Sequence, residues 1–431
     1  MLSPIAQVRE HLKEPLHRAS WAVMFSTILM TGVGALFWAL ATHIYDKEDV
    51  GRGNAIIFAM MLLASVFQMN MSNAVVRFLP QEREQLGRRI AQAYVIAAIC
   101  SGIAALAFAY IAPALSSEYA SFHETQWLPP VFALATSLWA IFVVQDPVLM
   151  ALGRATWMPP ENFAHSAGKL LLLPLMYALI PDWGLFIAWV VPLVVIVPAV
   201  NYLIARRAVP SATAAQRDSA TGVIDAFGHS RVLMKFMFQD FLGSAATQTT
   251  IYATPLITLA LLGPAANAVY SMPFAAMTGL DLLFVAVLTT FTAEASRSPE
   301  RIVELTRLVM RRLARVQIPA SLLLFAAAPL LMLPFDPSYR EAGTEVARII
   351  ALAGIFRALM LLYETVARLQ GNGPRLLFVQ GLNMVLVVGL CFVLAEPWGI
   401  NGVAASWFFG AALTALVTAP WLIAFLRNPE V

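Results

Sequence analysis

The chain reads as long apolar runs separated by short polar connections. Runs of about 19 to 27 residues cover 19–43, 53–76, 91–113, 128–152, 162–180, 184–205, 236–260, 266–291, 316–334, 346–369, 376–395 and 400–426. A hydrocarbon core about 30 Å thick is crossed by roughly 20 apolar residues of α-helix. Each run therefore predicts one membrane-spanning helix, twelve in all. Between the sixth and seventh runs, Ala208 to Ser219 is small, polar and poorly periodic, and reads as a linker between two halves. The predicted organisation is a segment 1–18, a first lobe 19–205, a linker 206–235, a second lobe 236–427 and a tail 428–431.

Composition agrees with this pattern. With 60% apolar and 12% charged residues and a mean hydropathy of +0.73, too little polar surface is left to clothe a soluble fold of this length. No small-residue cleavage site follows the first apolar run, so it is read as an uncleaved helix. The placement of the positive charges is more informative than the net charge of +3. With the N-terminus inside, twenty-three of the 28 Lys and Arg residues fall on the inner side. Lys47, Arg52, Arg340 and Arg348 fall outside, and Arg357 lies within a span. This asymmetry predicts a multi-pass protein of the cytoplasmic membrane with both termini cytoplasmic. It also accounts for clusters such as Arg311-Arg312 without any nucleic-acid partner. The inner segment from Pro299 to Val316 alternates apolar and basic positions in a way that suits the membrane surface.

The halves echo each other. Pro181-Asp182-Trp183-Gly184 opens one apolar run and Gly399-Ile400-Asn401-Gly402 opens another. Val50 to Ile56 resembles Leu262 to Val269. Asp146 precedes Gly153 by seven residues, as Glu364 precedes Gly371. Six spans is an even number, so both halves enter the membrane with the same orientation, and the repeat axis runs along the membrane normal. The expected fold is an all-α polytopic membrane protein, with twelve transmembrane helices in two six-helix lobes related by a pseudo-two-fold axis. Duplicated bundles of this kind are a common build for secondary transporters.

Four motifs add a family resemblance: Tyr45-Asp46-Lys47-Glu48-Asp49-Val50-Gly51-Arg52-Gly53, Arg77-Phe78-Leu79-Pro80, Pro337-Ser338-Tyr339-Arg340-Glu341-Ala342 leading to Ala347-Arg348-Ile349, and Gly399 to Ala404. In this order and spacing the chain resembles the multidrug/oligosaccharidyl-lipid/polysaccharide exporter superfamily, and within it the bacterial polysaccharide and O-antigen flippases. Gln68-Met69-Asn70-Met71-Ser72-Asn73 departs from the pattern, where such proteins carry a Gly-bearing apolar turn. The resemblance implies two lobes, a central cavity that opens alternately to either side, and passage of a lipid-linked oligosaccharide or polysaccharide precursor. It also implies as partners that lipid-linked glycan, membrane lipids and the polymerase or glycosyltransferase of the same pathway.

Ionised groups within spans cost at least about 2.5–3.5 kcal/mol on insertion scales, so each requires a partner or a wet surface. Arg357, Arg77 and Lys169 are the head-group candidates, because a guanidinium or ammonium suits a phosphate or pyrophosphate. For Arg357 an ion pair with Glu364 or Asp281 is the competing role, and for Arg77 and Lys169 it is snorkelling to the interface. Asp146, Asp240, Asp281 and Glu364 are candidates for a coupling ion or for ion pairs, Asp146 and Glu364 with arginines such as Arg154 and Arg368. Asn54, Gln68, Asn70, Asn73, Gln248 and Thr250 are candidates for sugar hydroxyls, with helix-to-helix bonding as the alternative.

The six His residues show no metal-ligand spacing, Cys100 and Cys391 lie in apolar runs, and no phosphate-binding Gly-rich loop occurs. Neither a metal nor a cofactor is expected. The alternatives to a flippase are an ion-coupled antiporter of organic cations from the same superfamily and a membrane-embedded glycan polymerase or glycosyltransferase. The short outer loops count against the enzyme.

Overall fold

The computed structural model describes residues 32–81, 85–218, 231–297 and 299–427. Among these residues the regular structure is entirely helical. In chain order the helices are α1 (Gly32–Ile44), α2 (Lys47–Phe67), α3 (Met71–Phe78), α4 (Leu86–Leu115), α5 (Leu128–Ala151), α6 (Met158–Leu179), α7 (Gly184–Leu203), α8 (Val209–Asp218), α9 (Arg231–Leu262), α10 (Pro264–Arg297), α11 (Ile302–Leu331), α12 (Pro337–Leu369) and α13 (Gly373–Arg427). Among the described residues, seven helical segments are long and apolar enough to cross a membrane: α2, α4, α5, the stretch Pro181–Thr213, α11, α12 and α13.

Three features differ from a plain reading of the apolar runs. The second run is broken, because Met69 and Asn70 take positive φ values of 54° and 58° and separate α2 from α3. The break falls on the polar Gln68 to Asn73 stretch, where side chains bond locally: Ser72 Oγ donates to Gln68 Oε1 (2.7 Å) and Asn73 Nδ2 to Asn70 Oδ1 (2.7 Å). The start of the linker is helical, since a π-helical turn at Ile204–Ala208 leads straight into α8. The last two runs form one bent element, α13, whose arms meet at Gly399 with φ 56° and ψ −139°, a conformation open to glycine.

The chain packs as two compact units. One comprises Met1–Phe37 and Leu63–Gly228, the other Trp38–Leu62 and His229–Val431. The sequence boundary followed chain order, whereas packing assigns 38–62 to the second unit. The reason lies in the motifs quoted above. Lys47 Nζ donates to the Ser338 carbonyl (3.1 Å) and sits 4.8 Å over the Tyr339 ring. The Asp336 backbone N–H donates to Thr42 Oγ1 (3.2 Å), and His43 bonds the Pro334 carbonyl (3.1 Å). Asp336 also caps α12 by accepting from the Ser338 N–H, which holds its carboxyl below the ordinary carboxylate range. Further along α2, Asn267 Nδ2 donates to the Gly51 carbonyl (2.8 Å).

In the first unit α4 packs on α5, α6 on α7, and α3 against α5. In the second, α9 and α12 pack on α13, and α10 and α11 pack on α12. Phe58, Tyr270, Phe274, Val387 and Trp407 are buried in the core of that unit. Lipid offers apolar side chains the same company as the core does, so close approach and internal hydrogen bonds hold such helices together. Gly102 lies against the Ser137 hydroxyl, and that hydroxyl crosses from α5 to the Ala98 carbonyl on α4 (2.9 Å). The outer face of α4 carries exposed Val95, Ile99, Ile103 and Ile111, as a lipid-facing surface requires.

Candidate functional site

One shift of 218 residues superimposes the chemistry of the two units. It carries Asp146 onto Glu364, Gly153 onto Gly371, Asn162 onto Gln380 and Trp189 onto Trp407. The acid stands near the end of α5 in one unit and of α12 in the other. Each helix then stops at a glycine with positive φ, 69° at Gly153 and 66° at Gly371. The following N–H reaches back five residues in both cases, Arg154 to the Leu149 carbonyl (2.7 Å) and Asn372 to the Ala367 carbonyl (2.9 Å). This turn aims the next helix so that an amide sixteen residues after the acid meets it. Asn162 Nδ2 donates to Asp146 Oδ2 (3.2 Å), and Gln380 Nε2 donates to Glu364 Oε2 (2.8 Å). The acid echo read from sequence is thus half of a repeated acid–amide clasp. The amides were missed because Asn and Gln differ in length and the clasp spans two helices, although the same shift locates both.

The clasps differ in charge. In the second unit Arg368 lies 3.8 Å from Glu364 Oε2 and donates from Nε to Asp240 Oδ1 (3.2 Å). Glu364 and Asp240 therefore share a built-in cation. Glu364 Oε1 is buried without a hydrogen-bond partner. Gly243 leaves room for the clasp, since a Cβ there would lie 2.0 Å from Gln380 Oε1. Replacing Gln380 by alanine is expected to lower the thermal stability of the purified protein by about 1–3 kcal/mol, because it strips the donor from a buried carboxylate; a thermal melt in detergent checks this.

In the first unit Asp146 sits with a second acid. Glu161, 5% exposed, precedes Asn162 on α6, and both its carboxylate oxygens are buried without a hydrogen-bond partner, as is Asp146 Oδ1. One turn along, His165 bonds the Trp189 carbonyl through Nε2 (3.1 Å). A carbonyl only accepts, so Nε2 carries the hydrogen and Nδ1 is left buried without a partner. Another turn on, Lys169 is 3% exposed. It does not snorkel: its Nζ lies 3.5 Å over the Trp189 ring and 5.4 Å over Phe37.

Arg357 is half-buried on α12, with its guanidinium carbon 4.7 Å over the Trp407 ring. The two tryptophans are equivalent under the shift, so each unit seats one cation on the same indole. The cation comes from the α6 position in the first unit and from the α12 position in the second.

The remaining candidates are spread more widely. Asn54 is fully buried, and neither of its side-chain atoms has a hydrogen-bond partner. Thr250 is buried and donates to the Ala246 carbonyl of its own helix (2.9 Å). Gln248 is half-buried on α9. Gln68, Asn70 and Asn73 serve the break between α2 and α3. The side chains of Arg77 and Asp281 lie outside the described residues. No cluster able to hold a metal ion occurs among the described residues.

No family model matches the sequence, and no curated protein matches it either. Solved structures do. An inward-facing multidrug resistance MATE transporter of the MOP superfamily aligns with a TM-score of 0.69 at 14% identity, over 93% of this chain and 95% of its own. A MATE protein in complex with MaL6 aligns at 0.63 and 15% identity, over 96% and 97%. A MOP transporter from Pyrococcus furiosus, described by a binding pocket of reverse polarity that suggests a different function, aligns at 0.63 and 14%, over 95% and 97%. The chain has the fold of the MATE transporters of the MOP superfamily.

Proposed function

We propose that the protein is an alternating-access transporter that moves a lipid-linked oligosaccharide or polysaccharide precursor across the cytoplasmic membrane. It would do so with twelve spans, both termini inside and no covalent chemistry. The observation that carries this reading is Arg357, a permanent cation set in the body of α12 with its guanidinium carbon 4.7 Å over the Trp407 ring. Glu364 is bonded to Gln380 and lies 3.8 Å from Arg368, and Arg357 is also within electrostatic reach of it. A guanidinium presents its N–H groups in its own plane, a geometry that suits bidentate binding of phosphate or pyrophosphate. Lys169 is closed in by Trp189 and Phe37 and supports the first unit from within; the anionic head group falls to Arg357, together with Arg77. The glycan polymerase or glycosyltransferase of the pathway remains the proposed protein partner.

The antiporter of organic cations is the second reading, favoured by the partnerless carboxylate oxygens of Asp146 and Glu161 and by the multidrug transporters among the structures of this fold. That one MOP transporter is distinguished by pocket polarity supports treating the sign of the cargo as variable within the fold. The shared fold of transporters also supports a non-enzymatic role over a polymerase or glycosyltransferase. Binding to the full-length protein in nanodiscs separates the readings. A polyprenyl-pyrophosphate-linked oligosaccharide should bind and be displaced by inorganic pyrophosphate, while tetraphenylphosphonium should not bind. The reverse preference would establish the antiporter.

A further inference from the structure

Two equivalent helices of the repeat carry different surfaces. In the first unit α4 packs on α5, and in the second α11 packs on α12. Leu305, Val309 and Leu313 bury one face of α11 against Leu362, Val366 and Phe425. These positions follow one another at steps of four, as do the buried Leu86, Ile90 and Tyr94 near the start of α4. On the opposite face of α11 stand Arg307, Arg311 and Arg315, again at steps of four, with Arg312 beside them, and all four are exposed. Matching the buried positions of the two helices sets Arg307 on Arg88, Arg311 on Gln92 and Arg315 on Ile96. The first unit builds the same helix with one charge of that stripe and without the other two.

Orientation in the membrane depends on how many cations a segment holds, wherever around the helix they fall. Three arginines in register go further, because like charges at this spacing repel one another and weaken the helix. The sequence of α11 contains a single acid, Glu304, and Arg301 holds it by two hydrogen bonds (3.0 and 3.1 Å). Arg307 donates to the Leu426 carbonyl at the end of α13 (2.5 Å). Past Arg315 the exposed face turns apolar, with Val316, Leu322 and Leu323. With 30 residues α11 is about 45 Å long, roughly 15 Å more than the hydrocarbon core, so its first turns stand among the headgroups. Side chains lean toward the N-terminus of a helix, which carries the Arg315 guanidinium toward the same layer. We propose that this face of α11 binds the phosphodiester headgroups of anionic phospholipids in the inner leaflet, through Arg311, Arg312 and Arg315. The acyl chains then lie along Val316, Leu322 and Leu323. Arginine suits the task because its planar fork meets two phosphate oxygens at once. The inner placement rests on the charge asymmetry of the whole chain; the lipid site does not rest on the cargo assignment.

Native mass spectrometry of the full-length protein, with phosphatidylglycerol and phosphatidylcholine of equal chain length, provides the test. Wild type should emerge from detergent carrying phosphatidylglycerol and should lose it as ammonium acetate is raised. Replacing Arg311, Arg312 and Arg315 together by glutamine should lower that retention about tenfold or more. Replacing the same three by lysine keeps the charge and should retain more lipid than glutamine does, while Arg88→Gln with Arg89→Gln should leave retention unchanged. All these side chains are exposed, so each variant should elute as a folded monodisperse species. Equal retention by wild type and the glutamine variant would overturn the proposal, as would equal retention of the two lipids by wild type. Displacement of the lipid by inorganic phosphate would overturn it in favour of a site for free phosphate. Displacement by a polyprenyl-pyrophosphate-linked oligosaccharide would overturn it by making the face an entry port for cargo. If phosphatidylglycerol is held on this face and the glycolipid binds nowhere, the cargo assignment fails and the phospholipid site stands.

Discussion

Replacing Arg357 by alanine is expected to abolish export of the lipid-linked glycan, while the protein still inserts and elutes as a folded species. A charge-assisted bidentate contact to phosphate contributes about 1.5–3 kcal/mol as a hydrogen bond to a charged group. Its loss at the cation seated over Trp407 costs at least a ten- to hundredfold fall in transport. Arg357→Lys keeps the charge and loses the planar fork, so it should retain a fraction of transport, more than alanine and less than wild type. The check is glycan at the cell surface in a strain that depends on this protein, normalised to protein in the membrane. Normal export by the alanine variant would remove Arg357 from the head-group role.

The largest expected effect on stability is at Gly51. A Cβ there would lie 1.8 Å from the carbonyl oxygen of Pro264 and 2.5 Å from its carbon, and both are backbone atoms with no rotamer to yield. Alanine is the better helix former by up to about 1 kcal/mol. That gain is small beside the separation of α2 from the start of α10, which would also break the bond from Asn267 to the Gly51 carbonyl. Overpacking typically costs about 1–3 kcal/mol, and this site should fall at or above the top of that range. Gly51→Ala is therefore expected to lower the melting temperature and the yield of monodisperse protein, as read by size exclusion after a heat step. Gly402→Ala should behave alike, since its Cβ would meet the Leu394 carbonyl at 1.9 Å. An unchanged melt in both variants would show that these helices separate at little cost.

These two glycines also show why the sequence was legible where it was. Gly51 and Gly402 belong to short motifs whose spacing suggested the superfamily, and both are places where backbone meets backbone. Tyr45 and Lys47 from one motif and Ser338 and Tyr339 from another converge in one unit, so motifs far apart in the chain mark a single packing interface. The apolar runs were readable because a bilayer imposes length and hydrophobicity on each helix separately. Interruptions were harder to read. The Met69–Asn70 break depends on backbone torsions that residue type only weakly restricts. The fate of Lys169 was also hidden: its side chain is long enough either to snorkel or to fold inward, and Trp189 on the next helix decided between the two. Glu161, Asn162, Gln380 and the tryptophans went unnoticed for the same reason, because each acquires its role from a partner on another helix.

The central claim is transport of a lipid-linked anionic glycan, and movement of that glycan across a bilayer tests it most directly. Purified protein would be reconstituted into liposomes carrying a polyprenyl-pyrophosphate-linked fluorescent oligosaccharide in both leaflets, and the outer-leaflet label quenched or cleaved by a membrane-impermeant reagent. The account predicts that wild-type vesicles lose nearly all the label as the inner pool becomes accessible, and that Arg357→Ala vesicles stop near half, like protein-free vesicles. Protection of half the label by the wild-type protein, together with uptake of an organic cation by the same vesicles, would contradict it.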